Sequence, residues 1–235
     1  MPLAVITGAS RGLGLALARE LAQRGWNLVV DARDGDELEG AMALLGASGK
    51  VIAIPGDIAD RGHRDQMAEA ARRVGRVDLL VNNASTLGAS PLPTLDRYPT
   101  DTLEQVFRVN VIAPLAMIQV LLPDLMAAEG AIVNVTSDAA IEPYGGWGGY
   151  GSSKAALEQL TATLAVEQEA LRVYTFDPGD MRTVMHQEAF PDEDISDRPE
   201  PEAVVPSLLR LIEERPPSGR YRSNELAPTI REVGS

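Results

Sequence analysis

The chain contains no cysteine and only two histidines among its 235 residues. The absence of cysteine excludes both disulfides and thiolate metal sites. His63 and His186 stand far apart, and neither has a second histidine near it in the sequence. We therefore expect no histidine-based metal site in this protein.

Positive charge is scarce, because 21 Lys and Arg residues face 34 Asp and Glu residues, which gives a net charge of -13. This balance argues against nucleic acid or an anionic membrane as the main partner. Only Lys50 and Lys154 are lysines. Acidic residues concentrate in 188–202, and we expect a solvated acidic substrate loop at about 180–200.

Long hydrophobic runs are missing as well, since no uninterrupted apolar stretch reaches the ~18 residues that suggest a membrane span. The N-terminus has neither a basic region nor a small-residue cleavage site, so no signal peptide is expected. We predict a cytoplasmic protein without a membrane partner. The 45% of hydrophobic residues is enough for a sizeable core.

Short apolar segments alternate with helical patterns along the chain. The predicted strands are 3–6, 27–30, 51–55, 77–81, 131–135, 172–176 and a short seventh at 219–222. The predicted helices are 12–24, 34–46, 61–74, 101–128, 151–170 and 201–215. This alternation implies right-handed βαβ crossovers and a parallel sheet covered on both faces. We predict one α/β domain over 1–235, a doubly wound sheet (Rossmann fold) of about seven strands.

A glycine loop, Thr7-Gly8-Ala9-Ser10-Arg11-Gly12-Leu13-Gly14, joins the first predicted strand to the first helix. Gly8 would allow a tight turn, Gly12 would let the backbone approach a pyrophosphate, and Gly14 would allow close helix packing. Phosphates would rest on the helix N-terminus, where free N–H groups favour negative charge. The alternative is a purely structural turn.

Tyr150 and Lys154 lie four residues apart, which places both side chains on one face of a helix. A phenol has an ordinary pKa near ~10, and a nearby ammonium favours the phenolate and lowers that pKa. The pair can therefore move a proton on and off an oxygen. An isolated match of this kind can equally be a surface pair, so the rest of the chain decides.

Two further polar residues converge on this pair in the predicted fold. Ser137 ends the fifth strand, thirteen residues before Tyr150, and is either a substrate-binding hydroxyl or a strand-end hydroxyl bonded to backbone. Asn110 lies within the apolar stretch 109–118, where a buried amide needs partners. Its alternative role is a core amide bonded to backbone.

Taken in order, these motifs resemble the short-chain dehydrogenase/reductase family. The matching elements are the glycine loop 7–14, Asp57-Ile58, Asn82-Asn83-Ala84-Ser85, Asn110, Ser137, Tyr150 with Lys154, and Pro178-Gly179. The resemblance covers residues 3 to about 183 and implies hydride transfer between a nicotinamide and a carbonyl or alcohol. The family usually has glycine where this chain has Ser85, and we expect that change to affect local turn geometry more than chemistry.

The resemblance also implies a role for each catalytic residue. Tyr150 would be the general acid in reduction and the base in oxidation. Lys154 would lower the pKa of Tyr150 and hold the nicotinamide ribose. Ser137 would hydrogen-bond the substrate oxygen, and Asn110 would complete a water relay to Lys154.

The cofactor would extend across the ends of several strands. By resemblance, Asp57 faces the adenine, Asn83 and Ala84 lie beneath the ribose, and Thr183 bonds the nicotinamide carboxamide. The full predicted cofactor-binding set is Gly8, Ser10, Arg11, Gly12, Leu13, Gly14, Arg33, Asp57, Ile58, Asn83, Ala84, Tyr150, Lys154, Pro178, Gly179, Met181 and Thr183. Further candidates for substrate contact are Trp147, Asp180, Arg182 and Met185.

The segment Asp31-Ala32-Arg33-Asp34 after the second strand bears on the choice of cofactor. A carboxylate bonds the 2′-hydroxyl of NAD, whereas a guanidinium binds the 2′-phosphate of NADP. The family's discriminating acid directly precedes the position of Arg33, and Ala32 stands there. With Arg11 as a second cation, the sequence favours NADP(H). A shifted loop that brought Asp31 to the ribose would make NAD(H) the cofactor.

The sequence therefore predicts an NADP(H)-dependent oxidoreductase that interconverts a small-molecule carbonyl and a secondary alcohol. A redox sensor without turnover, or an epimerase or dehydratase of the same family, remains as an alternative, because fold does not fix function. The apolar helical region 103–128 is hard to hide within one domain. We expect it to form a homodimer or homotetramer together with helix 151–170.

Overall fold

The computed structural model describes residues 1–46 and 48–226 as an α/β fold. The strands are β1 (Leu3–Ile6), β2 (Asn27–Ala32), β3 (Val51–Pro55), β4 (Leu79–Asn82), β5 (Ala131–Val135), β6 (Arg172–Asp177) and β7 (Gly219–Arg222). The helices are α1 (Gly12–Gln23), α2 (Gly35–Ala43), α3 (Arg61–Val74), α4 (Thr100–Phe107), α5 (Ala113–Ala128), α6 (Gly148–Glu167), α7 (Val184–Ala189) and α8 (Pro201–Glu214). This confirms the predicted fold class.

The seven strands form one parallel sheet in the order β3-β2-β1-β4-β5-β6-β7. The chain starts in the middle, moves outward to β3, then returns past β1 to build the other half. The strand order therefore reverses between β1 and β4, and in open sheets of this kind ligands bind beyond the carboxyl ends of the strands at that point.

Both faces of the sheet are buried, which explains why the strands are continuous apolar runs. Alternate residues of β1 show the division, because Ala4 and Ile6 pack with α1 and α8, whereas Leu3 and Val5 pack with α3 and α5. The two layers of helices leave only the strand ends accessible, and the polar residues predicted for the site lie at those ends.

The long helical region predicted over 101–128 is present as a helical segment over Thr100–Ala128, but it is not α-helical throughout. A π turn, Arg108–Ile112, separates α4 from α5. Helix α6 begins three residues earlier than predicted, and a short helix, α7, occupies part of the predicted acidic loop 180–200. The first two residues of α6 are Gly148 and Gly149, and a Cβ there would clash with Leu95 or Tyr98, respectively. Close packing therefore requires glycine at both positions, and helix propensity does not reveal this requirement.

Within the described residues, Thr100–Ala128 is a single segment long and apolar enough to pass a length and composition test for a membrane span. Its most apolar window has a mean hydropathy of 1.9 and is 39% buried. Core helices of soluble proteins pass the same test, and Met117, Leu121 and Leu125 of this segment are packed in the core against the sheet. The test is weak support for a membrane helix.

Candidate active site

A cavity of about 1390 Å³ opens along the carboxyl ends of the strands. Every predicted cofactor-binding and catalytic residue lines it except Gly14 and Asn110, which lie just behind its wall. The four candidates for substrate contact, including Trp147 and Met185, line it as well. The fold therefore gathers residues from six strand ends and several helices around one space.

The glycine loop has a backbone that requires glycine at three of its positions. Gly8 and Gly12 have positive φ angles of 69° and 58°, which side chains rarely adopt. A Cβ on Gly14 would lie 2.2 Å from the carbonyl oxygen of Gly8. No side chain caps the N-terminus of α1 at Arg11, so the free N–H groups of its first turn fit a pyrophosphate.

Asn83 and Thr7 fasten this loop to the end of β4. The Asn83 Nδ2 group donates to the carbonyl oxygens of Thr7 (3.0 Å) and Gly8 (2.8 Å). In return, Thr7 Oγ1 accepts the backbone N–H groups of Asn83 and Ala84, both at 3.0 Å. These four bonds hold the floor of the cavity at the point where the strand order reverses.

Asp31 is buried and serves the same loop from the other side. Its Oδ1 accepts the backbone N–H of Gly8 at 2.7 Å, and its Oδ2 lies 2.9 Å from His63 Nε2. Both oxygens are therefore engaged. These bonds argue against a shifted loop that brings Asp31 to a ribose, because the shift would leave a buried carboxylate and the Gly8 N–H without partners.

At the end of the cavity that we predict to hold the adenosine, the two predicted cations have different surroundings. The guanidinium of Arg33 is exposed and makes no hydrogen bond or ion pair with any described residue. Arg11 Nη1 lies 3.5 Å from Glu37 Oε1. Glu37 belongs to the first turn of α2, and sequence reasoning missed it. Its position four residues after Arg33 was the available signal.

Tyr150 and Lys154 share one face of α6, and both are buried. The Lys154 ammonium lies 5.4 Å from the centre of the Tyr150 ring and donates to the carbonyl oxygen of Val135 at 2.9 Å. Val135 ends β5, two residues before Ser137. The helix and the strand end thus bring the three predicted catalytic side chains to one end of the cavity.

Asn110 sits on the π turn with its amide fully bonded. Its Oδ1 accepts the Thr86 N–H (2.9 Å) and the Ser85 hydroxyl (3.2 Å). Its Nδ2 donates to the Thr86 carbonyl (2.9 Å) and to Ser153 Oγ (3.0 Å). π turns occur often at functional sites, and this one directs a buried amide to the segment that follows β4.

Asp138, which was not among the residues predicted for the site, contacts Ser137 directly. The Ser137 hydroxyl donates to Asp138 Oδ1 at 2.9 Å and accepts the Ala139 N–H at 3.2 Å. Asp138 Oδ2 accepts the Tyr144 hydroxyl at 3.0 Å. A carboxylate therefore stands directly beside the predicted substrate-binding hydroxyl, and its place in the chain next to Ser137 was the signal for it.

Burial dominates the proton affinities of the central pair. It raises the pKa of Tyr150 above its ordinary value, with a hydrogen bond from Ser85 acting in the opposite direction and the charges of Asp177 and Asp138 adding to the rise. Burial also lowers the pKa of Lys154 to about 8, although the negative charge of Glu158 acts to raise it. The expected net lowering of the Tyr150 pKa is therefore wrong, because desolvation disfavours the phenolate more than its neighbours favour it.

The end of the cavity that holds Tyr150 is also lined by the segment after β6 and by aromatic rings. Thr183 caps α7 by accepting the His186 N–H at 3.1 Å. Trp147 lies edge-on to Tyr150, with ring centres 5.6 Å apart, and 5.8 Å from Phe190. Arg182 is paired with Glu200. An apolar wall thus adjoins Tyr150.

A family model described as short chain dehydrogenase matches residues 2–194. The sepiapterin reductase of Xenopus laevis is 33% identical over 207 residues, which cover 80% of this chain and 76% of the relative. The 3beta-hydroxysteroid dehydrogenase 1 of Eggerthella lenta is 32% identical over 214 residues, which cover 88% and 78% of the two chains.

Solved structures agree with these relatives. A short-chain dehydrogenase of Shigella flexneri complexed with NADP has a TM-score of 0.87 and 27% identity, covering 95% of this chain and 97% of its own. An alcohol dehydrogenase of Thermococcus sibiricus complexed with 5-hydroxy-NADP has a TM-score of 0.80 and 26% identity, covering 94% and 95%.

Proposed function

This chain belongs to the short-chain dehydrogenase/reductase family of oxidoreductases, and we propose that it interconverts a carbonyl and a secondary alcohol with NADP(H). The observation that carries the proposal is the cavity itself. It joins an uncapped glycine-loop helix at one end to Tyr150, Lys154 and Ser137 at the other. A phosphate-binding end and a proton-transferring end in one cavity suit hydride transfer.

Tyr150 is the proposed proton donor and acceptor. A nicotinamide bound in this cavity would supply or accept the hydride. In reduction the Tyr150 hydroxyl gives its proton to the carbonyl oxygen, and in oxidation the phenolate takes it back. Because burial raises its pKa, the phenol is protonated at neutral pH, which is the form that reduction needs.

The neighbouring residues position this chemistry. Lys154 is held to the end of β5 through Val135, so its charge stays beside the Tyr150 ring. Ser137 binds the substrate oxygen once its hydroxyl turns away from Asp138, its acceptor at 2.9 Å. Asn110 braces the segment after β4 that borders the substrate end. The apolar wall of Trp147 and Phe190 suits a carbonyl compound with a hydrophobic body.

NADP(H) is the proposed cofactor because the guanidinium groups of Arg11 and Arg33 line the end of the cavity next to β2. Arg33 has no competing partner among the described residues, Ala32 stands where the family's discriminating acid is found, and Asp31 is engaged with Gly8 and His63. The complexes of the Shigella and Thermococcus proteins with NADP compounds support the same choice. One domain over 1–235 and a cytoplasmic location remain predictions.

Cofactor titration with Tyr150→Phe tests the proposal. We expect the wild type to bind NADPH more tightly than NADH in a fluorescence titration of its two tryptophans, and to consume NADPH with members of a carbonyl panel. Tyr150→Phe should lower kcat by roughly 10²- to 10⁴-fold, the usual contribution of general acid catalysis, with NADPH binding retained.

Tyr221→Phe is the matched control, because Tyr221 lies on β7 outside the cavity lining and its hydroxyl donates to the Pro217 carbonyl. The turnover of this variant should equal that of the wild type. Full turnover by Tyr150→Phe would exclude Tyr150 as the acid. Product formed without net consumption of NADPH would instead indicate the epimerase or dehydratase alternative. Binding without turnover on any substrate would favour a sensor.

A further inference from the structure

One carboxylate lies inside the part of the cavity proposed for the 2′-phosphate. Glu37 Oε2 accepts the hydroxyl of Ser10 at 2.8 Å, and Glu37 Oε1 lies 3.5 Å from Arg11 Nη1. Ser10, Arg11 and Glu37 all line the cavity. Helix α2 thus places an acid across the glycine loop, in contact with two residues predicted to bind the cofactor.

Because of this contact, the two arginines proposed to bind the 2′-phosphate differ in whether they already have an acidic partner. Arg33 makes no ion pair within residues 1–46 and 48–226, whereas Arg11 has Glu37 as a partner. The backbone keeps Glu37 in place, because the Asp34 side chain caps α2 by accepting the Glu37 N–H at 2.9 Å. The backbone from which the Glu37 side chain extends is therefore held at the start of α2.

We propose that Glu37 is a specificity-determining residue that sets the margin between NADP(H) and NAD(H). The inference rests on the proposed cofactor function of this cavity. A 2′-phosphate and the Glu37 carboxylate compete for the same two donors, the Arg11 guanidinium and the Ser10 hydroxyl, and they repel each other. A ribose 2′-hydroxyl carries no charge, so NAD(H) binding leaves the Glu37 contacts in place.

The expected change in cofactor affinity depends on how exposed the side chains of Arg11 and Glu37 are. The side chains of Arg11 and Glu37 are 55% and 38% exposed, so solvent and salt screen their charges. A like charge that shares the donors of the phosphate at such a site then weakens NADP(H) binding by about three- to tenfold. NAD(H) binding should change by less than about twofold, because its ribose carries no charge at the 2′ position beside Glu37.

The test compares Glu37→Gln with Glu39→Gln by titration with NADPH, NADH and adenosine 2′,5′-bisphosphate. Glutamine keeps an oxygen acceptor for the Ser10 hydroxyl and removes only the charge. Glu39 is an exposed acid on the same helix with no polar contact among the described residues, so it controls for net charge. Glu37→Gln should tighten NADPH and the bisphosphate about three- to tenfold and leave NADH within twofold, while Glu39→Gln changes none of them.

A double-mutant cycle with Arg11→Gln sharpens the result, because the gain from Glu37→Gln should shrink when Arg11 is absent. Equal effects of the two glutamine variants, or weaker NADPH binding by Glu37→Gln, would overturn the inference. A wild type that prefers NADH would overturn the NADP(H) proposal alone. The ratio of NADPH to NADH affinity in Glu37→Gln against wild type would still decide the role of Glu37.

Discussion

Ser85 places a hydroxyl between the amide of Asn110 and the phenol of Tyr150. It donates to Asn110 Oδ1 at 3.2 Å, and a hydrogen bond from it lowers the pKa of Tyr150. The hydroxyl has one proton, so the two acceptors compete for it. Ser85 does not have a positive φ angle. The serine therefore adds a hydrogen-bonding hydroxyl at this position, beside the effect on turn geometry that the sequence led us to expect.

Replacing Ser85 with alanine should move alcohol oxidation to higher pH. Oxidation needs the Tyr150 phenolate, and removing a donor that favours the phenolate raises the pKa of Tyr150 further. Oxidation at neutral pH should fall by about fivefold, because one hydrogen bond contributes roughly 1 kcal/mol. The measurement is kcat/KM with NADP⁺ and a secondary alcohol across pH. Ser85→Thr, which keeps a hydroxyl, should restore the profile, and an unshifted profile in Ser85→Ala would contradict the role.

At the scale of elements, the start of α1 is set by how closely two backbone segments approach. A Cβ on Gly14 would lie 2.2 Å from Gly8 O and 2.5 Å from Asn83 Nδ2. Gly40, by contrast, is exposed on α2, and a Cβ there would meet nothing within 4 Å. The same residue type is thus obligatory in one helix and incidental in the other.

Gly14→Ala and Gly40→Ala should change stability in opposite directions. Gly14→Ala forces the glycine loop away from Asn83 and should cost about 1–3 kcal/mol, the usual range for overpacking. Gly40→Ala lowers the entropy of the unfolded chain and should gain about 0.5–1 kcal/mol. Urea unfolding of both variants measures the difference. Unchanged stability in Gly14→Ala would mean that the loop relaxes freely.

The elements themselves were predictable because short apolar strands and amphipathic helices leave strong patterns. The π turn was not predictable from the sequence. Val109, Val111 and Ile112 are all apolar, so the segment has no periodic pattern that distinguishes a π turn from an α-helix. In the site, Tyr150, Lys154 and Ser137 were identified from spacing and resemblance. The contacts of Glu37 with Ser10 and of Asp31 with His63 depend on tertiary packing between distant segments, which sequence spacing does not encode.

At the scale of the whole molecule, apolar side chains remain exposed on the helices that follow β4 and β5. Ile112 and Met126 are 54% and 37% exposed, and Leu160 and Val166 on α6 are 36% and 75% exposed. Exposed apolar side chains of this kind can contribute to a surface that binds another protein chain. We retain the prediction of a homodimer or homotetramer formed through helices 103–128 and 151–170.

Light scattering after size exclusion should give at least twice the mass of one chain. Leu160→Glu should weaken assembly, because a charge buried in an apolar interface is costly. Leu44→Glu is the control, since Leu44 is equally apolar and 68% exposed but lies beyond the end of α2. A monomeric wild type, or equal dissociation of both variants, would contradict assembly through these helices.

The π turn at Arg108–Ile112 can also be regarded as a spacer that sets the phase between α4 and α5. An α-helix advances about 100° per residue, so one residue more or less rotates everything downstream by that angle. The present spacing lets Asn110 turn toward Ser153 while Met117 and Leu121 face the sheet. A deletion here would put one of these two faces out of phase, so length variation in this stretch is constrained at once by the core and by the chemistry.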